Sequence, residues 1–277
     1  NWIAANAKRI RGDLDNDDKL EWSDWTSFWN IYRGVPVSAT LNPRLDYDGN
    51  GTINTVDHNR FRAAMRNWFF GEPGSMQPSD WAAFNTAFTG PGSGTAGTYV
   101  NLYDVDRDGD VDTDDQRMFG LIGAETPLAF LTMDLQDLAS PATAVGHTVS
   151  YEFRLPGNPT ILGSGSAPID SQYQVVIPTP SGTGAYELYV ACGHWLRKKL
   201  SVNLGTNDLA GITASLVNGD VVVDNLVNTD DYLALSGAFD TLPGDPNWNS
   251  NADLDENGIV NSDDYLILSE NFDVAGD

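Results

Sequence analysis

One cysteine, three histidines and 15 basic residues in 277 positions leave little material for several kinds of chemistry. The single thiol, Cys192, excludes an internal disulfide framework. It ends the alternating segment Tyr186-Glu-Leu-Tyr-Val-Ala-Cys192 on its apolar side, which predicts a buried, inert sulfur. His58, His147 and His194 are scattered without metal-ligand spacing, and neither a nucleophile elbow nor a phosphate loop is present. No catalytic machinery is legible, so the chain reads as a non-enzyme. Basic residues cluster only at Arg197-Lys198-Lys199 and at Lys8-Arg9 with Arg11, against 39 acids and a net charge of −24. Neutralising phosphates takes clustered Lys and Arg, so no nucleic-acid partner is expected. No run approaches the ~20 apolar residues of a membrane span. A first residue other than Met, Asn1, gives the expectation of a processed, mature chain.

The acids are where the information lies, and most fall in five twelve-residue loops. These run from Asp13 to Asp24, Asp46 to Asp57, Asp104 to Asp115, Asp220 to Asp231 and Asp253 to Asp264. Oxygen side chains recur at positions 1, 3 and 5 of the first, second, third and fifth loops and at 1 and 5 of the fourth, and Asp closes each at position 12. A hard cation such as Ca²⁺ takes six to eight oxygens, and a twelve-residue loop supplies them from positions 1, 3, 5, 7, 9 and 12. The spacing therefore predicts calcium cages. Binding to a cation stabilises the charged carboxylate, which opposes service as a general acid near neutral pH.

Behind each loop the same helical stripe follows. Four residues past position 12 stand Phe28, Phe61, Phe119, Leu235 and Leu268, and eight past it Tyr32, Met65, Gly123, Phe239 and Phe272. Residues i and i+4 share a helix face, so each loop feeds an amphipathic helix. Position 8 is always apolar (Leu20, Ile53, Val111, Val227, Val260), which predicts that paired loops bridge through this residue. Ser79-Asp80-Trp81-Ala-Ala-Phe84 echoes Ser23-Asp24-Trp25-Thr-Ser-Phe28 and marks a worn-out sixth copy. A Gly-rich connector over 90–97 follows it. Trp22, Trp25, Trp29 and Trp68 fall at helical spacing, which assigns them to core or interface in preference to a carbohydrate platform.

From about 127 to 217 the period changes to two. Alternating runs at 128–135, 148–155, 172–177, 185–192, 195–204 and 211–216, separated by Gly/Pro/Ser turns, predict an antiparallel β-sandwich. The expected architecture is multidomain α + β. Helical pairs occupy 1–70 and 71–125, the sandwich 126–217, and a last pair 218–277.

Duplicated loops with Asp at position 12 and a following helix resemble the dockerin family. The closest matches are Asp46-Tyr-Asp-Gly-Asn-Gly-Thr-Ile-Asn-Thr-Val-Asp57 and Asp253-Leu-Asp-Glu-Asn-Gly-Ile-Val-Asn-Ser-Asp-Asp264. The resemblance spans 12–68, 78–123 and 218–273. It implies EF-hand-like, calcium-dependent folding and docking onto a partner module, often a cohesin. Carried over by position, the ligands of the first loop are Asp13, Asp15, Asp17, the Lys19 carbonyl and Asp24. The second loop has Asp46, Asp48, Asn50, the Thr52 carbonyl and Asp57; the third has Asp104, Asp106, Asp108, the Asp110 carbonyl and Asp115. The fourth keeps Asp220, Asp224, the Leu226 carbonyl and Asp231, with Val222 in place of a ligand. The fifth has Asp253, Asp255, Asn257, the Ile259 carbonyl and Asp264. Positions 10 and 11 bear on partner choice in dockerins and are not matched among the repeats here, which weighs against a symmetric two-faced cohesin binder.

Together these readings give a secreted, calcium-stabilised structural protein at a bacterial surface or in a matrix. It joins copies of itself head to tail into a fibre through its terminal modules. The alternative is the scaffold-docking part of a secreted carbohydrate-active enzyme system, bound to a cohesin-like module. Calcium sensing is disfavoured, because helices that bury their stripes against each other expose no groove on binding.

Overall fold

Asp at loop position 12 does local work before any metal is considered. It is the third residue of a helix that begins at position 10, and it accepts the backbone N–H of position 9. That bond is half of a capping box, and in the helices Thr113–Gly123, Thr229–Gly237 and Ser262–Glu270 it is answered by the other half. This geometry starts α1 (Trp22–Tyr32), α2 (Thr55–Phe70), α4 (Thr113–Gly123), α5 (Thr229–Gly237) and α6 (Ser262–Glu270). The worn-out copy keeps it too: in α3 (Pro78–Ala87) Asp80 accepts from Gln77 N at 2.7 Å. The computed structural model describes residues 12–15, 17, 19–32, 45–70, 76–88, 100–107 and 109–277. The 90–97 connector, the basic cluster at 8–11, and Asp18 and Asp108 lie outside them.

The chain divides into two compact units, residues 1–128 and 129–277, each mixed or helical in itself. In the first, Phe28, Phe61, Phe84 and Phe119 each stand four residues past the aspartate that caps their helix, and all are fully buried. Phe28 stacks on Phe61 at 4.5 Å and Phe84 on Phe119 at 4.8 Å, so the repeats meet two by two. The two pairs share one aromatic core, since Phe69 packs edge-on against Phe119 and Trp22 Nε1 donates to Leu102 O at 2.6 Å. Buried Arg62 donates to Leu121 O and Thr126 O, and Arg66 to Ala124 O at the end of α4. Trp22, Trp25 and Trp29 are buried as expected; Trp68 is partly exposed.

The second unit is built on β1 (Leu128–Leu135), β2 (Thr148–Arg154), β3 (Ile161–Pro168), β4 (Gln174–Pro178), β5 (Gly184–Cys192), β6 (Trp195–Leu204) and β7 (Leu209–Leu216). Two sheets, β4-β1-β7 and β3-β2-β5-β6, bury a common core that includes Leu131, Val149, Phe153, Ile177, Leu188 and Leu216. The expectation of purely antiparallel pairing is corrected here: β1 and β7 run parallel, Leu131 against Ile212 and Leu135 against Leu216. Nothing in a period-two pattern encodes strand direction.

β3 is a strand that alternation does not reveal, Ile-Leu-Gly-Ser-Gly-Ser-Ala-Pro. Its glycines are small for a reason. They register opposite Phe153 and Tyr151, and a Cβ on Gly165 would stand 2.7 Å from the Tyr151 hydroxyl. Cys192 is buried, as expected, and its side chain bonds His147.

The last helical pair packs onto the two-sheet core. Leu196 of β6 shares a buried cluster with Val227, Leu235, Leu254, Val260 and Leu268. Both position-8 valines are buried there, but their expected mutual backbone bridge is replaced by two others. Val227 N donates to Val274 O, and Asp273 N to Val227 O; Val260 N donates to Thr241 O, and Asp240 N to Val260 O. Each loop is thus stitched to the segment that leaves the other loop's helix. The residues eight past position 12 differ between units. Met65 is buried, whereas Phe239 and Phe272 are exposed, because α5 and α6 end before reaching them.

Candidate metal centres

In every loop the position-12 carboxylate is clamped from two sides. One oxygen accepts from the front of the loop: Leu14 N on Asp24 (2.5 Å), Tyr47 N on Asp57 (2.6 Å), Val105 N on Asp115 (2.5 Å), Val222 N on Asp231 (2.9 Å) and Leu254 N on Asp264 (2.6 Å). The other accepts the N–H of position 9, from Glu21, Asn54, Asp112, Asn228 and Asn261 respectively. All five carboxylates are fully buried.

Position 1 turns the loop back on itself. Asp46 accepts from Asn50 N and Gly51 N, Asp220 from Asp224 N and Asn225 N, and Asp253 from Asn257 N and Gly258 N. Position 5 then takes the N–H of position 7, in Asp17 with Lys19, Asn50 with Thr52, Asp224 with Leu226, and Asn257 with Ile259. These turns draw carboxylate oxygens to within 4.8 Å of one another in Asp13/Asp15/Asp17, Asp46/Asp48/Asp57, Asp104/Asp106/Asp115 and Asp220/Asp224/Asp231. Val222 therefore leaves three converging acids in the fourth loop. In the third, Asp110 and Asp112 also converge on Asp115; the sequence assigned Asp110 only through its carbonyl. Position 6 is Asn225 in the fourth loop, with φ +72°. Its side chain accepts Arg197 N from the adjoining strand β6 at 2.8 Å, a role that Gly would lose.

The fifth loop is also held from outside. Asn218 Nδ2 donates to Leu254 O at 2.7 Å, Ala139 N to Asp255 O at 2.8 Å, and His147 Nε2 lies 2.9 Å from Glu256. His147 is raised to about 10 by its bonds to Cys192 and Glu256. His194, buried and stacked 3.9 Å from Trp195, is lowered to about 4 by desolvation.

The donor set is hard oxygen throughout, and it is crowded with like charge. Burial raises Asp115 and Asp253 to about 6, and raises Asp24, Asp112, Asp220 and Asp264 from the usual range; neighbouring carboxylates add to the effect. Half-buried Asp46 goes the other way, lowered chiefly by the Gly51 N–H bond. Gathering buried anions is unfavourable unless a cation compensates them. The residues therefore fit a hard divalent ion. The sign of the pH dependence follows. A folded-state pKa above the unfolded value means that the metal-free fold takes up protons, so its stability is present below about pH 4 and lost as pH rises through about 6. In the metal-free protein, hydrogen exchange over 113–123 is expected to slow as pH falls from 7 to 5, after correction for the intrinsic rate. With metal the trend reverses, because protons then compete for the same oxygens. Equal trends in both states would contradict the assignment.

No family model matches this chain, and no curated protein matches it. Among solved structures it is similar to a chain of an N-terminal interface mutant of the type II Cohesin-X-Dockerin complex from Acetivibrio cellulolyticus. That match has 20% identity and TM-score 0.42, covering 54% of this chain and 97% of that one. A C-terminal interface mutant of the same complex matches at 18% identity and TM-score 0.40, with the same coverage. At these scores the likeness establishes neither a family nor a partner. Among the described residues, no helix is long and apolar enough to cross a membrane.

Proposed function

We propose that this chain is a non-catalytic, calcium-stabilised extracellular module that docks onto a partner protein through the outer faces of α5 and α6. Ca²⁺ would be held by the acids of the five loops, where it supplies the positive charge their crowding calls for. Asp at positions 1 and 12, with Asp or Asn at position 5, holds the loop, and the position-12 residue simultaneously starts the helix.

The observation that supports docking is an apolar surface repeated at 33-residue spacing on the last pair. Tyr232 and Tyr265, Leu233 and Leu266, Phe239 and Phe272, and Leu226 with Ile259 are all exposed, Leu233 and Leu266 at 60% and 55%. The two tyrosines meet edge to face at 6.0 Å. In a chain of net charge −24, such a duplicated apolar patch is the composition of a recognition surface. Positions 10 and 11, unmatched across the whole set, are nearly matched within this pair as Thr229-Asp230 and Ser262-Asp263. A cohesin-like module is the partner class to test first. Surface plasmon resonance against a panel of such modules is expected to show calcium-dependent binding, lost when Leu233 and Leu266 are both changed to Asp while calcium stoichiometry stays unchanged. Binding that survives the double variant would rule out this face.

Head-to-tail self-association into a fibre is the second reading. It is favoured by loop-and-helix pairs standing on both sides of the two-sheet core in sequence.

A further inference from the structure

Two of the five loops share a feature that metal binding does not ask for. Position 5 is Asn followed by Gly in Asn50-Gly51 and Asn257-Gly258, whereas it is Asp in the other three loops. Asn is a chemically labile residue, and a following Gly makes it more so, because no Cβ shields the glycine nitrogen. That nitrogen attacks the side-chain carbonyl carbon, expels ammonia and closes a five-membered succinimide. Water then opens the ring at either carbonyl, giving aspartate or isoaspartate. The second product has its main chain rerouted through Cβ. Water is the only co-reactant.

In the closed loops, every group this reaction uses is already engaged. The two nucleophiles, Gly51 N and Gly258 N, donate to Asp46 Oδ2 at 2.8 Å and to Asp253 Oδ2 at 2.9 Å. A nitrogen held on a carboxylate is not free to turn on the amide carbon. Both amides are pinned as well. Asn50 Nδ2 donates to Asp48 Oδ2 while Oδ1 accepts from Thr52 N, and Asn257 Nδ2 donates to Asp255 Oδ2 while Oδ1 accepts from Ile259 N. The remaining Asn-Gly pair of the chain, Asn218-Gly219, is shielded differently. Asn218 is fully buried, and its Nδ2 donates to Gln136 O and Leu254 O.

We propose that Asn50 and Asn257 are modification sites, protected while their loops are closed and deamidated once the loops open. The change runs one way. Aspartate at position 5 copies Asp17 and Asp224, so that product leaves a working loop. Isoaspartate lengthens the main chain by one carbon, displaces the carboxylate from position 5 and removes the acceptor for the N–H of position 7. Such a loop does not close as before, and each of the two keeps a lasting mark of having opened. That calcium holds them shut rests on the function proposed above; protection by the closed loop itself does not.

The test holds the full chain at mildly alkaline pH in calcium, in chelator and in urea. Peptide mass mapping follows conversion of amide to acid at residues 50, 218 and 257, and calorimetry follows calcium stoichiometry after refolding. In urea all three sites should convert at similar rates. In calcium, conversion at 50 and 257 should be slower by about tenfold or more, because only the open fraction reacts. Chelator should bring both sites towards the urea rate, and calcium restored afterwards should find fewer sites. Asn50→Asp with Asn257→Asp starts as the harmless product and should lose stoichiometry more slowly under the same treatment. Slow conversion in calcium and chelator alike, with fast conversion in urea, supports gating by the fold and counts against calcium as the agent. Conversion in calcium as fast as in urea, or isoaspartate at 257 with stoichiometry unchanged, overturns the inference.

Discussion

Stripping divalent metal from the protein is expected to unfold its first unit while the two-sheet core stays folded. A ligand that binds only the folded state stabilises it by about 2.7 kcal/mol per site at a hundred times its Kd. The first unit carries three candidate sites, so removing metal withdraws about 8 kcal/mol. That is comparable with the whole margin of about 5–15 kcal/mol by which a domain is ordinarily stable. About 1 kcal/mol moves the midpoint by roughly 4 °C at this size, giving a fall of about 30 °C. Phe28, Phe61, Phe84 and Phe119 supply a core, but one capped by acid-lined loops whose like charges repel and whose burial raises Asp115 to about 6 in spite of its backbone bonds. The core of the second unit, with Phe153, Leu188 and Trp195 buried between two sheets, is a cluster of its own beside the one that the loop pair buries. Chelator titration followed by far-ultraviolet circular dichroism should therefore show helix lost first and sheet signal later. A midpoint shift of only a few degrees would show that the acids are solvated loops.

The second large effect separates capping from metal binding. Asp264 accepts Leu254 N, Asp255 N and Asn261 N at 2.6, 3.2 and 2.8 Å and is fully buried. Changing it to Ala leaves buried donors unpaired, at about 1–3 kcal/mol each, and should also reduce calcium stoichiometry by one. Asp80 occupies the corresponding helical position but stands behind a worn-out loop, accepting Gln77 N. Asp80→Ala should cost only the about 1 kcal/mol of a lost cap and leave stoichiometry intact. Calorimetric calcium titration and thermal melts of both variants make the comparison. If Asp264→Ala binds as much calcium as the parent, the fifth loop is not a site.

What was legible in the sequence is what chemistry ties to fixed spacing. Asp at position 12 and an apolar residue four further on start a helix and aim it, so helix positions, the buried phenylalanines and the pairing of repeats could be read directly. Features that depend on distant neighbours could not. Strand alternation says which side chains turn inward but not which way a strand runs, so the parallel β1–β7 pair was hidden. β3 was hidden because Tyr151 and Phe153 do its packing from the neighbouring strand and leave its middle, 163–166, only glycine and serine. The exposed faces of α5 and α6 were masked by their shortness: Phe239 and Phe272 continue the i+4 pattern past the helix ends, and only the fold shows that they miss the core. Nor does the loop pattern reveal that Asn225, at a left-handed turn position that favours glycine, closes the edge of β6 through its side chain.

The parallel pairing of β1 with β7 also sets how the second unit bears load. Tension entering along the chain at Leu128 and leaving past Leu216 pulls the two strands in opposite directions along their length. The rungs from Leu131–Ile212 to Leu135–Leu216 are then strained together instead of being peeled one at a time. Resistance to pulling is built into the topology at this point.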